Sequence, residues 1–228
     1  MLTNIPEYIT AAGALGTAAY AVVDSSKAIR GGVSNHGFNY IRKVAKTLWP
    51  KATDLPGPLE LSSAVETLRA NWLNGTQLAD QKAIAKSLVK LCLSADTAPH
   101  FAKVTGANPD LLKSVAIKMS SGEPMTQAET DVFGRFDLVL TAFLDKGYQR
   151  ADQSYRNKAK AWSMAVSVIL AFLGGWAIKG GAFELYFWTI DMGKALLTGL
   201  LATPLAPVAK DLSSALAAGV KAAQLIRK

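Results

Sequence analysis

The chain has 228 residues, of which 50% are hydrophobic and only 18% charged, and 25 basic against 17 acidic side chains give a net charge of +8. Ordinary soluble domains carry about 25% charged residues. The deficit here is local, because residues 8–23 and 161–178 carry no charge at all while 60–160 have the composition of a soluble helical protein.

The excess of positive charge is also local. Residues 61–145 nearly cancel, at 8 basic against 9 acidic, which argues against a basic track for nucleic acid. The surplus flanks the uncharged runs, as lysine and arginine do beside membrane spans.

The start, MLTNIPEYITAAGALG, has no lysine or arginine before its apolar run. It lacks the charged leader region of a cleaved signal and reads as a retained anchor. Residues 5–26 predict a helix with Pro6 in its first turn, where proline is tolerated. Its sixteen-residue uncharged core rises about 24 Å, short for a hydrocarbon layer of about 30 Å. Small residues four apart (Ala12/Gly16, Gly13/Thr17, Ala14/Ala18) let a second helix approach closely, which is how helices associate in lipid. Residues 1–26 are therefore expected to be a first transmembrane helix, with Gly13 and Gly16 as packing positions. A soluble alanine-rich helix is the alternative.

RGGVSNHGFNY predicts a hinge, and FNYIRKVAKTLWPK a short basic amphipathic stretch. Arg42, Lys43, Lys46 and Trp49 are expected at the membrane interface, where cations meet anionic lipid and indoles sit at headgroup level. Residues 27–57 then form a basic interfacial segment and linker, WPKATDLPGPLE contributing three prolines.

Residues 58–157 predict an all-α aqueous domain. Helices are expected over 59–73, 77–94, about 97–104 and 109–120, the last opened by Asn108 as N-cap with Pro109 behind it. Thr126 and Glu129 make a capping box. Val132, Phe133, Phe136, Leu140, Phe143 and Leu144 then recur on one helical face, and no proline interrupts the chain until well past residue 178. That helix can continue into the next uncharged segment, or be interrupted at Gly147 or in the polar run 150–160.

Residues 158–228 predict a C-terminal membrane region. AWSMAVSVILAFLGGWAI, 161–178, rises about 27 Å, close to bilayer thickness. It is apolar on every face, so it needs lipid or a large protein around it. Trp162 and Trp176 stand near its ends, and Phe183, Tyr186, Phe187 and Trp188 crowd one level, as in an aromatic belt. A further span is expected over about 185–209, with Gly199, Pro204 and Pro207 as packing positions, followed by an amphipathic tail. The chain thus reads as an all-α, polytopic membrane protein of about three transmembrane helices. Three spans put Lys27–Lys51, Lys146–Lys160 and the C-terminus on one side, the cytoplasm by the positive-inside rule, and the N-terminus outside.

The order of a helical domain, the polar approach YQRADQSYRNKAKAW, a span, and then LLTGLLATPLAPVAKDLSSALAAGVKA resembles a group of uncharacterised bacterial membrane proteins. Their last span ends in a comparable Leu-Leu-Thr-small-Leu, Ala-Pro and Asp-Leu-Leu pattern. The likeness covers residues 135–220. It implies a multi-pass protein of the bacterial inner membrane and implies no activity.

Chemistry-bearing motifs are sparse. His36 and His100 lie in different regions, and HExxH, CxxC and GxxxxGK do not occur. Cys92, in KSLVKLCLS, reads as a buried structural thiol, and His100 as a surface or capping residue. No catalytic, cofactor-binding or metal-binding residue is assigned, and a non-enzymatic role is expected. Glu7, Asp24, Asp191, Lys194, Lys210 and Asp211 sit at the ends of the spans rather than their centres, which weakens an ion-coupled transporter. Two roles remain. One is a bilayer-anchored interaction module that assembles with itself or a protein partner through residues 58–157. The other is a channel or pore subunit, or a membrane-disrupting effector.

Overall fold

Two helix starts in this chain are set by side chains that satisfy free amides. In the computed structural model, which describes residues 5–51, 55 and 57–207, Asn108 Oδ1 accepts from the Asp110 and Leu111 amides, both at 3.0 Å. Thr126 and Glu129 cap reciprocally: the Glu129 carboxylate accepts from the Thr126 amide at 2.7 Å, and Thr126 Oγ1 accepts from the Glu129 amide at 3.4 Å.

The elements are α1 (Ile5–Ser25), α2 (Ser34–Leu48), α3 (Leu61–Leu73), α4 (Leu78–Leu91), α5 (Ala98–Thr105), α6 (Pro109–Ser121), α7 (Gln127–Lys179) and α8 (Phe183–Phe187). Residues 190–207 are also helical and are called α9 here. No strand occurs among the described residues, so the fold is all-α as expected. α7 runs unbroken for 53 residues. The C-terminal tail, with Lys210 and Asp211, lies outside the described residues.

Two compact units emerge, one of Ser34–Tyr155 and the other of the described parts of Met1–Val33 and Arg156–Lys228. α7 contributes residues to both. We call the first the helical domain and the second the apolar bundle.

The helical domain begins earlier than the expected boundary at residue 58. On α2, Phe38, Ile41, Ala45 and Leu48 repeat at three- and four-residue intervals and are all buried, joined by Trp49. The amphipathic stretch thus has protein against its apolar face. The hinge correspondingly shrinks to the turn at Arg30, Gly31 and Gly32, three successive residues with positive φ.

Around α2 the domain packs Leu68, Val89, Phe101, Leu112, Phe136 and Leu140 into a single core. Phe101 meets Phe136 edge-on at 5.7 Å, a favoured aromatic geometry. Along the flank, Lys86 and Lys90 on α4 straddle Asp137 of α7 at 2.5 and 3.1 Å, and Lys82 reaches Asp145 at 2.6 Å. Partly exposed pairs of this kind contribute about 0.2–1 kcal/mol each, so they orient α4 on α7 more than they hold it. His100 Nε2 lies 3.2 Å from the Leu48 carbonyl, and as a donor it satisfies one of the free acceptors at the end of α2. Its capping role is therefore borne by tertiary structure.

The apolar bundle holds α1, the last part of α7, α8 and α9. The expected single helix over 185–209 is interrupted: α8 stops at Phe187, and helix resumes at 190. Thr189 causes the break, because its amide and hydroxyl both donate to the Tyr186 carbonyl, at 3.0 and 2.7 Å, closing a turn where a helix would have continued. Residues 208 and 209 lie outside the described residues. Among the described residues, α7 alone is long and apolar enough to cross a membrane, and only 11% of that stretch is buried.

Candidate functional site

In the apolar bundle, small side chains face inward. Ala12, Gly13, Gly16 and Ala19 of α1, Ser163 and Ser167 of α7, and Gly199 and Ala202 of α9 are all buried. A Cβ at Gly16 would overlap the Ala202 carbonyl, and one at Gly199 would stand 2.5 Å from Val168 Cα. Both glycines are therefore demanded by backbone-to-backbone approach. Ser167 Oγ donates to the Gly199 carbonyl at 2.8 Å, a polar bond between helices at the point of closest packing.

Large apolar side chains face outward. Val22, Trp162, Ile169, Leu173, Leu197, Leu200 and Leu201 are exposed, and Ile178 is 90% exposed. Water-driven folding buries such groups, and a contiguous exposed set of them marks a surface meant for protein or membrane. Of the glycines singled out in the sequence, Gly16 and Gly199 make close backbone approaches and Gly13 is buried. Pro204 and Pro207 are exposed on α9, away from the close approaches at Gly199 and Ala202.

One end of the bundle is aromatic. Phe172 lies edge-on to Phe183, Tyr186 and Phe187, with ring centres 5.5, 5.4 and 6.3 Å away. Trp176 is half-buried and donates to the Gly181 carbonyl at 3.3 Å, while Trp188 is 89% exposed. Asp191 there takes Lys179 at 2.7 Å and Lys194 at 3.1 Å. An open, mostly apolar groove of about 600 Å³ runs beside this cluster, lined by Leu15, Leu170, Gly174, Ile178 and Thr198 among others.

The chain matches no protein-family model, no curated protein and no solved structure.

In the helical domain, the expected interface residues separate. Arg42 is half-buried, its guanidinium 5.3 Å from the centre of the Phe38 ring, and Lys43 and Lys46 are exposed. Trp49 corrects the expectation. It is 3% exposed, and its indole N–H donates to the Leu59 carbonyl at 2.7 Å, so both its ring and its polar edge are taken up by the core.

Lys43 instead belongs to a cavity of about 200 Å³. Tyr40, Lys43, Val44 and Thr47 line it from α2, and Phe143, Lys146, Gly147 and Arg150 from α7. Each set follows the spacing of one helical face. Sequence reasoning did not pair the two faces, since about 100 positions separate them and no local signal joins them.

Three further titratable groups are held by hydrogen bonds, ion pairs or burial. Glu129 is buried, and its carboxylate accepts from Lys118 at 2.8 Å, Ser114 at 2.5 Å and the Thr126 amide. These bonds, that from Lys118 foremost, hold its pKa down at about 2. For Asp137, burial alone would raise the pKa, but Lys86 and Lys90 outweigh it and hold the carboxyl below its usual range. Burial pushes the Cys92 thiol up to about 11. A thiol this far from its nucleophilic thiolate form fits the structural role read from the sequence. Among the described residues, no three histidine, cysteine, aspartate or glutamate side chains are gathered as a metal would require.

Proposed function

We propose that the protein is a non-enzymatic integral membrane protein that anchors a helical interaction module and assembles with itself or a protein partner. In this reading residues 5–26, 161–178 and about 185–209 are three spans of a bacterial inner membrane. The N-terminus is outside; the helical domain and C-terminus are cytoplasmic.

One observation carries the reading: the apolar bundle is inside out relative to a water-soluble core. Small residues and hydroxyls are within, and leucine, isoleucine and tryptophan are without. Lipid is the solvent that stabilises that arrangement, because association there rests on close packing and interhelical hydrogen bonds. The flanking charges support the orientation. Exposed Leu91, Ile117 and Leu138 on the helical domain give an interaction module apolar contact points.

Alkaline carbonate extraction tests the location, and the protein is expected to stay with the membrane pellet. For topology, Cys92→Ser provides a cysteine-free background in which Glu7→Cys and Lys103→Cys are labelled separately. Residue 7 should react in intact cells with a reagent that cannot cross the inner membrane, and residue 103 only after lysis. A folded monomer in buffer without amphiphile would sink the proposal.

The pore reading rests on a narrower observation. The hydroxyls of Ser163 and Thr203 are buried without a hydrogen-bond partner among the described residues, and a file of water in an oligomer would satisfy them. Ion flux through liposomes holding the pure protein favours this second role; stable binding of a soluble partner without flux favours the first.

A further inference from the structure

The cavity between α2 and α7 has a composition that a structural gap does not need. Its floor is a close helix crossing: a Cβ at Gly147 would lie 2.6 Å from Val44 Cγ2. Around that crossing stand three cations, Lys43, Lys146 and Arg150, with no carboxylate among the lining residues. Asp145, next to Lys146 in sequence, is engaged by Lys82. Like charges gathered around one concave space repel each other, and an anion relieves that repulsion.

The other lining groups narrow the anion. Arg150 offers a planar fork of donors suited to phosphate oxygens, and the lysines act as mobile point charges. Tyr40 and Thr47 contribute hydroxyls; Tyr40 and Phe143 add aromatic walls that an inorganic ion would not use. At about 200 Å³ the space exceeds the roughly 30 Å³ share of a single water several-fold, leaving room for an organic substituent beside the charged group.

We propose that this groove binds a phosphate ester, with the phosphate oxygens held by Lys43, Lys146 and Arg150 and the attached organic group against Tyr40 and Phe143. A phospholipid headgroup and a soluble phosphate ester share that chemistry. The first source rests on the membrane reading above; the second does not.

The test uses the full chain in nanodiscs of phosphatidylcholine, with or without a minority of phosphatidylglycerol. Native mass spectrometry counts retained phosphatidylglycerol, and calorimetry titrates sn-glycerol 3-phosphate. Lys146→Gln with Arg150→Gln is compared with Lys103→Gln plus Lys113→Gln, which removes the same charge from exposed positions on α5 and α6. Circular dichroism checks that both variants fold.

The groove variant should bind at least one probe about tenfold more weakly, the scale of a lost charged hydrogen bond, while the control stays within about twofold. Selective lipid retention identifies the headgroup as ligand, and glycerol phosphate binding identifies a soluble ester; both support the site. Binding of neither probe by the native chain, or equal losses in the two variants, overturns it. A chain that stays out of the discs would end the membrane reading, yet the glycerol phosphate titration in buffer would still decide the groove.

Discussion

The two units of this molecule follow opposite packing rules. In the helical domain Phe101, Phe136, Leu140 and Trp72 are inside, and lysine–aspartate pairs lie along the flank. In the apolar bundle Gly16, Ser167, Gly199 and Ala202 are inside, and Ile169, Leu173 and Leu200 are outside. Both are helical, and both draw on α7. On the membrane reading proposed above, what differs is the solvent: where water excludes apolar surface, burial of large side chains drives folding; where it does not, backbones must come close enough for van der Waals contact. A helix can therefore serve both environments if the size of its inward side chains changes along its length, and α7 passes from Phe136 and Leu140 to Ser163 and Ser167.

Truncation breaks this comparison most directly. Phe136→Ala should destabilise the helical domain by about 3–5 kcal/mol, the range for a fully buried phenylalanine, read by denaturant unfolding of the purified chain. Ile169→Ala, on the exposed face of the bundle, should change thermal stability in detergent by under about 1 kcal/mol. Equal effects at the two sites would mean that the bundle has a water-type core after all.

Enlargement should have the reverse asymmetry. Gly199→Leu drives a side chain into the Val168 backbone, and overpacking costs about 1–3 kcal/mol even where side chains alone must move. Backbone opposition puts this variant at or beyond the top of that range. Lower melting of the bundle is expected, with unchanged unfolding of the helical domain. Gly134→Leu is the internal control, since a Cβ there meets nothing within 4 Å.

The helical domain also carries a proton-linked element. Glu129 has its folded pKa lowered from 4.5 to about 2, so the folded state favours the ionised form and contributes stability that is fully present above the unfolded value. That contribution should fade as pH falls from about 4.5 toward 2, because protonation then costs the bonds from Lys118 and Ser114. Glu129→Gln should flatten this part of the pH–stability profile and lower stability at neutral pH. An unchanged acid slope would show that Asp137 or another carboxyl dominates.

The sequence made much of this architecture legible. Asn108 and the Thr126–Glu129 pair announced their helices because capping is local chemistry, and the absence of proline allowed an unbroken α7 without deciding between that and a break at Gly147 or in 150–160. Cys92 was correctly read as buried from its place on an apolar face. The start of the helical domain was missed for a physical reason: Phe38, Ile41, Leu48 and Trp49 make an apolar stripe that looks the same whether lipid or protein covers it. Similarly, composition over 185–209 does not reveal that Thr189 folds back on Tyr186. The α2–α7 groove was beyond reach, since its cations become neighbours only through the tertiary approach of Gly147 to Val44.

The smallest effect tests what holds the bundle together. Ser167 Oγ bonds both the Gly199 carbonyl across the interface and the Met164 carbonyl in its own helix, at 2.8 and 2.9 Å. Ser167→Ala removes the hydroxyl but keeps the helices as close as before. Interhelical hydrogen bonds measured in lipid average about 0.6 kcal/mol, so the variant should melt only slightly below the native protein in detergent. A much larger loss would shift the explanation from close packing to polar adhesion, and Gly199→Leu would then be expected to fail through the lost bond as much as through overlap. Combining both substitutions separates the two terms: if packing dominates, Ser167→Ala adds little once Gly199→Leu has already pushed α9 off α7.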